Sequence, residues 1–191
     1  GIGPEVTNQS IKVLNMIAKQ YGHQFSYEYA LMGAVAIDET GNPLPDETIA
    51  ICKNSDAILF GAIGDPKYDN DPTAKVRPEQ GLLKLRKELQ LFANIRPVKT
   101  YTSLQHLSPL KAKHLENVDF VIFRELTGGI YFGAKSLSED GTVAKDDCSY
   151  SVMEIERVAH LAFQYAQKRN KHLTLVDKAN VLETSILWRK V

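Results

Sequence analysis

Short apolar runs set between helical periods constrain this chain more than any other feature. Residues 56–61, DAILFG, residues 120–124, FVIFR, and residues 172–176, HLTLV, have the length and composition of buried strands. QFSYEYA (24–30) alternates as a half-buried strand does, NIRPVK (94–99) reads as a strand whose proline suits an edge, and 130–132 reads as another. The intervening segments carry the other period. Ile11, Leu14, Ile17 and Tyr21 form one stripe behind Pro4, and Val152, Ile155, Ala159, Ala162 and Ala166 form another. Further helices are expected from Pro45–Thr48 onward, over 81–89 and over 182–191. Strands alternating with helices predict an α/β chain with mixed sheets flanked by helices. The polar stretch 134–149, with one central Asp-Gly, reads as a projecting β-hairpin arm. A domain change is placed near Leu91, giving segments 1–91 and 92–191. The turn Gly1-Ile2-Gly3 runs straight into a helix, so a strand is expected before it.

Composition removes several classes of function. Lys and Arg together number 23, as do Asp and Glu, so no net field favours nucleic acid or an anionic membrane, and any anion site must be local. Cys52 and Cys148 lack a metal-ligand spacing and fit a reducing compartment. No apolar stretch approaches a membrane span and no signal peptide is visible, which makes the cytoplasm the expectation. The five histidines form no ligand cluster. GAIG (61–64) is a weak glycine turn without the spacing of a dinucleotide fingerprint.

The stretch VIFRELTGGIYFG (121–133) delivers Arg124 and Glu125 at the end of a strand, then breaks at two glycines before Tyr131. Charged side chains there are costly unless paired, so the stretch marks a site. On a helix, Leu82 and Leu83 lie four and three residues before Arg86 and share its face, an arrangement able to hold an alkyl group beside a carboxylate. Arg86, Arg96 and Arg124, if they converge, would clamp a dicarboxylate. Spacing alone favours three solvated arginines instead. Asp177 and Lys178 fall where a strand gives way to a helix, the end at which α/β folds gather active sites. A lysine near several arginines could accept a proton near neutrality, although a solvated loop lysine fits the spacing as well.

Together, GIGPEV (1–6), RPEQGLLKLRKELQLFANIRPVK (77–99), LSPLK (107–111), FRELTGGIYFG (123–133), YSVMEIERVAHLAFQYAQKR (150–169) and VDKANVLETSILWRK (176–190) resemble the β-decarboxylating isocitrate/isopropylmalate dehydrogenases. The resemblance covers nearly the whole chain and implies the two-domain fold of that family, with the first segment on the cofactor side and the second, bearing the arm, on the substrate and dimer side. It implies oxidative decarboxylation of (2R,3S)-3-isopropylmalate to 2-oxo-4-methylpentanoate in leucine biosynthesis, with NAD and Mg2+ or Mn2+, by a homodimer with shared active sites. Arg86, Arg96 and Arg124 would bind the malate carboxylates. Tyr131 and Lys178 would be the catalytic pair, and Leu82, Leu83 and Val181 would hold the isopropyl group. Glu79 and Asn180 would lie near the nicotinamide, while Ile2, Asp65, Pro66 and Lys67 would border the cofactor. The family's metal-binding aspartates lie beyond the position of Val191, so no metal ligand is assigned and the chain reads as a fragment. Asp65 and Tyr68 stand where the family commonly has Gly and Trp. An isocitrate- or tartrate-type sister enzyme, or a non-catalytic dimerisation subunit, remains the alternative.

Overall fold

Pro4 in the first turn, where a missing N–H costs nothing, opens the first helix, α1 (Gly3–Tyr21), and Gly22 closes it at φ 71°. The computed structural model describes residues 2–191, so Gly1 of the opening turn lies outside the described residues. The chain divides into two units, Gly1–Leu89 and Gln90–Val191.

In the first unit α1 is followed by α2 (Ala34–Thr40), α3 (Asp46–Asn54), a single turn α4 (Pro66–Asp69) and α5 (Pro78–Glu88). Asp46 and Glu47 place negative charge at the positive end of α3. Leu44, Ile49 and Leu85 form the core, with Met32, Cys52 and Leu89 packed against it. Each such buried side chain contributes about 1.5–3 kcal/mol of transfer free energy. Thr48 is also buried, and its hydroxyl donates to the Leu31 carbonyl at 2.7 Å. Pro78, Gly81 and Leu85 are the buried side of α5. A Cβ at Gly81 would stand 2.5 Å from the Pro43 carbonyl oxygen, so only glycine lets the helix lie this close to that loop.

The second unit is built on β1 (Ala93–Lys99) paired antiparallel with β2 (Asp119–Glu125), Asn94 opposite Arg124 and Arg96 opposite Ile122. One face carries Ile95, Val121, Phe123 and Glu125. Helix α6 (Val152–Gln167) covers it, with Phe123 and Tyr165 rings 5.3 Å apart. Ser151 and Glu154 form a reciprocal capping box at the start of α6. The buried stripe is Ile155, Val158 and Ala162, whereas Val152, expected inside, is exposed. The hairpin expected within 134–149 is present as β3 (Lys135–Leu137) and β4 (Ala144–Asp146), and both strands are exposed. Its tip is held by Asp140, whose carboxyl is pulled down to about 2 by the Ser138 and Thr142 hydroxyls. The last helix is α7 (Glu183–Lys190).

Several expected strands are absent. Residues 24–30, 56–61 and 172–176 pair with no neighbour among the described residues, and Phe25, Tyr29, Leu59 and Val176 stand exposed. An apolar run has strand-forming residues, but without a second chain segment on its edge it has no ladder to join. Residues 130–132 are not a strand either. Gly129, at φ 72°, turns the backbone, and its carbonyl accepts from Phe132 and Gly133, closing a 3-10 turn over Gly129–Tyr131. Helix α5 begins at Pro78, three residues earlier than its apolar period indicates, because Gln80 caps the Arg77 N–H at 3.0 Å.

Candidate functional site

Four residues of α5, Glu79, Leu82, Leu83 and Arg86, recur at i, i+3, i+4 and i+7 and therefore make one stripe beside the buried one. Leu82, Leu83 and Arg86 are half-buried, so the stripe offers apolar surface ending in a guanidinium. A Cβ at Gly64 would touch Glu79 Oε1 at 3.0 Å, which puts the glycine turn against the start of this stripe. The same turn passes close to α1. A Cβ at Gly61 would stand 2.5 Å from the Gly3 carbonyl oxygen, so Ile2, residues 61–64 and the beginning of α5 share one region of the first unit.

The loop that follows is ordered by its own polar contacts. Asp65 caps α4 by accepting the Lys67 N–H at 3.0 Å, an interaction that holds its carboxyl below the usual range. Pro66 occupies the first position of that turn. The Lys67 ammonium lies 2.5 Å from Asp38 Oδ1, and the Tyr68 hydroxyl donates to the same oxygen at 2.6 Å. These two donors, Lys67 first, lower the Asp38 pKa, while Asp38 raises those of Lys67 and Tyr68. Asp38 lies 29 residues upstream of Lys67, and nothing local in the sequence announced that pairing.

In the second unit the uncovered face of β1 and β2 carries Arg96 and Arg124, separated by one step of the register, with Ile122 and Phe120 beside them. Arg96 Nε donates to Asn94 Oδ1. The Arg124 guanidinium sits 5.2 Å from the centre of the Tyr131 ring, so the two residues singled out across the glycine break are in contact as a cation–π pair. Tyr131 is itself 53% exposed and its phenol is open to a ligand.

Glu125 answers the cost of a charge at a strand end. Its side chain is fully buried and paired with Arg157 at 2.6 Å, and it also accepts the backbone N–H groups of Thr127 and Gly128 at 3.0 and 2.6 Å. The Thr127 hydroxyl lies between the two ions, donating to Glu125 and accepting from Arg157. Arg157 stacks over Phe92 at 5.0 Å. An opposite charge on the covering helix was the available signal for Arg157. Tyr150 is a further residue the sequence did not single out. It packs against Gly128 and Gly129, meets Trp188 of α7 edge-on at 5.5 Å, and is pushed up in pKa by burial.

Lys178, Asn180 and Val181 stand together and exposed on the turn before α7. The Lys178 carbonyl accepts from Val181 and Leu182, and its N–H donates to the Ser185 hydroxyl at 3.1 Å. Asp177 anchors the turn by accepting Arg189 Nε at 2.7 Å and the Ala179 N–H at 2.9 Å, and these contacts depress its pKa. The candidate residues thus form two sets by unit: Ile2, Asp65, Pro66, Lys67, Glu79, Leu82, Leu83 and Arg86 in the first, and Arg96, Arg124, Tyr131, Lys178, Asn180 and Val181 in the second. Among the described residues no group of three or more His, Cys, Asp or Glu could hold a metal ion, and no helix is long and apolar enough to cross a membrane.

A family model described as isocitrate/isopropylmalate dehydrogenase matches residues 1–191. The chain is 57% identical over 191 residues to 3-isopropylmalate dehydrogenase of Bacteroides fragilis, covering 100% of this chain and 54% of that protein. It is 54% identical over 195 residues to 3-isopropylmalate dehydrogenase of Bacillus subtilis, covering 53% of it. The chain therefore spans about half the length of the curated relatives it matches. Among solved structures it is similar to an isocitrate dehydrogenase from Methylococcus capsulatus, with TM-score 0.82 and 27% identity over 100% of this chain and 52% of that one. A β-decarboxylating dehydrogenase from Thermococcus kodakarensis gives TM-score 0.68 at 32% identity, over 100% and 50%.

Proposed function

Because the chain belongs to the isocitrate/isopropylmalate dehydrogenase family, we propose that it serves the NAD-dependent oxidative decarboxylation of (2R,3S)-3-isopropylmalate, as part of a cytoplasmic homodimer in leucine biosynthesis. The observation that carries this reading is the α5 stripe, where Leu82 and Leu83 lie one turn from Arg86. That surface matches an isopropyl group on a carbon next to a carboxylate. A polar substrate such as isocitrate would leave a third carboxylate against two leucines, a burial that costs several kcal/mol unless paired.

Arg86, Arg96 and Arg124 hold the two malate carboxylates, because a guanidinium forms paired, planar hydrogen bonds that a point charge cannot. Val181 would add an apolar contact to the isopropyl group. Lys178 takes the proton from the C2 hydroxyl as the hydride leaves C2. Bound NAD supplies the acceptor for that hydride. The region shared by Ile2, residues 61–67 and Glu79 would border the cofactor, because Gly61 and Gly64 let that turn lie close against Gly3 and Glu79; Asn180 would meet its nicotinamide end. After carbon dioxide is lost, Tyr131 delivers a proton to C3 of the enolate, with its ring kept in place against Arg124. The described residues bring together no set of side chains that fits a divalent cation such as Mg2+ or Mn2+.

Specificity tests the reading. In the complete protein, Leu82→Ser with Leu83→Asn should lower the kcat/KM ratio of isopropylmalate to isocitrate, since each lost methylene contact is worth about 1–3 kcal/mol of discrimination. An unchanged ratio would show that the stripe does not contact the alkyl group.

A further inference from the structure

We infer that Glu125 is a positioning residue for Tyr131, acting through the backbone of the glycine turn; this rests on the role proposed above for Tyr131. Two strand-end neighbours point to opposite faces of β2: Arg124 on the open face, and Glu125 beneath α6. Four residues separate Glu125 from Ile130, and the carboxylate grips the first half of that interval. Thr127 N–H and Gly128 N–H both donate to Oε2, while Oε1 takes the Thr127 hydroxyl and Arg157 Nη2. The second half is fixed from outside. Gly129 donates to the Ser149 carbonyl at 2.9 Å, and Lys135 Nζ donates to the Ile130 carbonyl at 2.9 Å. A side chain on Gly129 would collide with the Tyr150 hydroxyl, so the turn lies directly against that ring.

The outcome is geometric. Tyr131 is 53% exposed and has little packing of its own, yet its ring lies under the Arg124 guanidinium. Its direction is set by where the backbone leaves Gly129, and that is set by Glu125 and its clamp. Arg157 supplies the cation that this buried carboxylate is paired with, and removing one member of such a pair leaves the clamp on the two N–H groups without its counter-charge. Glu125 touches no part of the proposed ligand surface and does no proton transfer in this scheme.

The experiment uses the complete protein labelled with 3-fluorotyrosine, with the Tyr131 resonance assigned by its loss in Tyr131→Phe. Glu125→Gln should move or broaden the Tyr131 fluorine resonance and lower kcat by about 100-fold, with KM for isopropylmalate changed by less than about threefold, as a misplacement near 1 Å does. Thr127→Val removes one hydroxyl from the network and keeps both ions, so it carries the test alone if Glu125→Gln does not fold; there the resonance should also move, with a smaller fall in kcat. A role confined to stability would lower Tm while leaving the resonance and kcat of the folded protein unchanged, and that result would overturn the inference. Failure of the unmodified protein to form NADH from isopropylmalate would instead count against the proposed reaction, and the fluorine shift would still report on the turn.

Discussion

Lys178→Met should reduce kcat for isopropylmalate by about 10²–10⁴-fold, and Tyr131→Phe should do the same, because each removes one group that moves a proton in the transition state. Neither change should disturb folding. Lys178 stands exposed on a turn whose shape is fixed by Asp177 and Ser185, and Tyr131 is exposed at its ring. The pair also tests where the lysine acts. If Lys178 acts in the partner's site of the proposed homodimer, a mixed dimer of the two variants has one site with both defects and one with neither. Random reassociation makes about half of the dimers mixed, and activity should return to roughly a quarter of the unmodified level. Unfolding and refolding the variants together, with subunit exchange confirmed by mass, reads this directly in NADH formation. No recovery would place both groups in the same chain's site.

The second large effect is on stability. Arg157→Ala leaves the Glu125 carboxylate buried with two backbone N–H groups and one hydroxyl but no cation, and the loss of one member of a buried pair costs about 3–5 kcal/mol. Arg157 is 25% exposed at its side chain, so water can enter the gap and the lower end, about 3 kcal/mol, is expected. Lys145→Ala provides the contrast. Its partner Asp147 is 44% exposed, and such surface pairs are worth about 0–1 kcal/mol. Urea unfolding of the two variants should differ accordingly. Equal midpoints would mean that the Glu125–Arg157 pair contributes no more than a surface contact.

The longer helices were legible in this sequence because their signals are local, whereas the short α2 and α4 were not expected. Pro4, the acidic start of α3 and the stripes of α5 and α6 are all complete within a few turns. Strands β1 and β2 and the arm were legible for a similar reason, since each is bounded by turn residues, while the pairing of β1 with β2 came only from the folded chain. The runs at 24–30, 56–61 and 172–176 were not, because a strand is a relation between two segments and residue composition describes one. Ile130–Phe132 went the other way, its apolar content outweighed by a glycine in the left-handed region.

The candidate site divides similarly. Arg124 and Tyr131 could be paired from the sequence because they flank one glycine break. The stripe of Leu82, Leu83 and Arg86 needed only helical spacing. Asp38 with Lys67 and Tyr68, and Glu125 with Arg157, are joined across 29, 30 and 32 residues, and only the folded chain reveals them.

The central claim is that the apolar stripe of α5 that ends at Arg86 selects an alkylated malate. The most direct test is a comparison of kcat/KM for (2R,3S)-3-isopropylmalate and isocitrate, measured by NADH formation with the complete protein and divalent metal. Two leucines meeting an isopropyl group in place of a carboxylate should favour isopropylmalate by about 100-fold or more. Equal values, or a preference for isocitrate, would contradict the account.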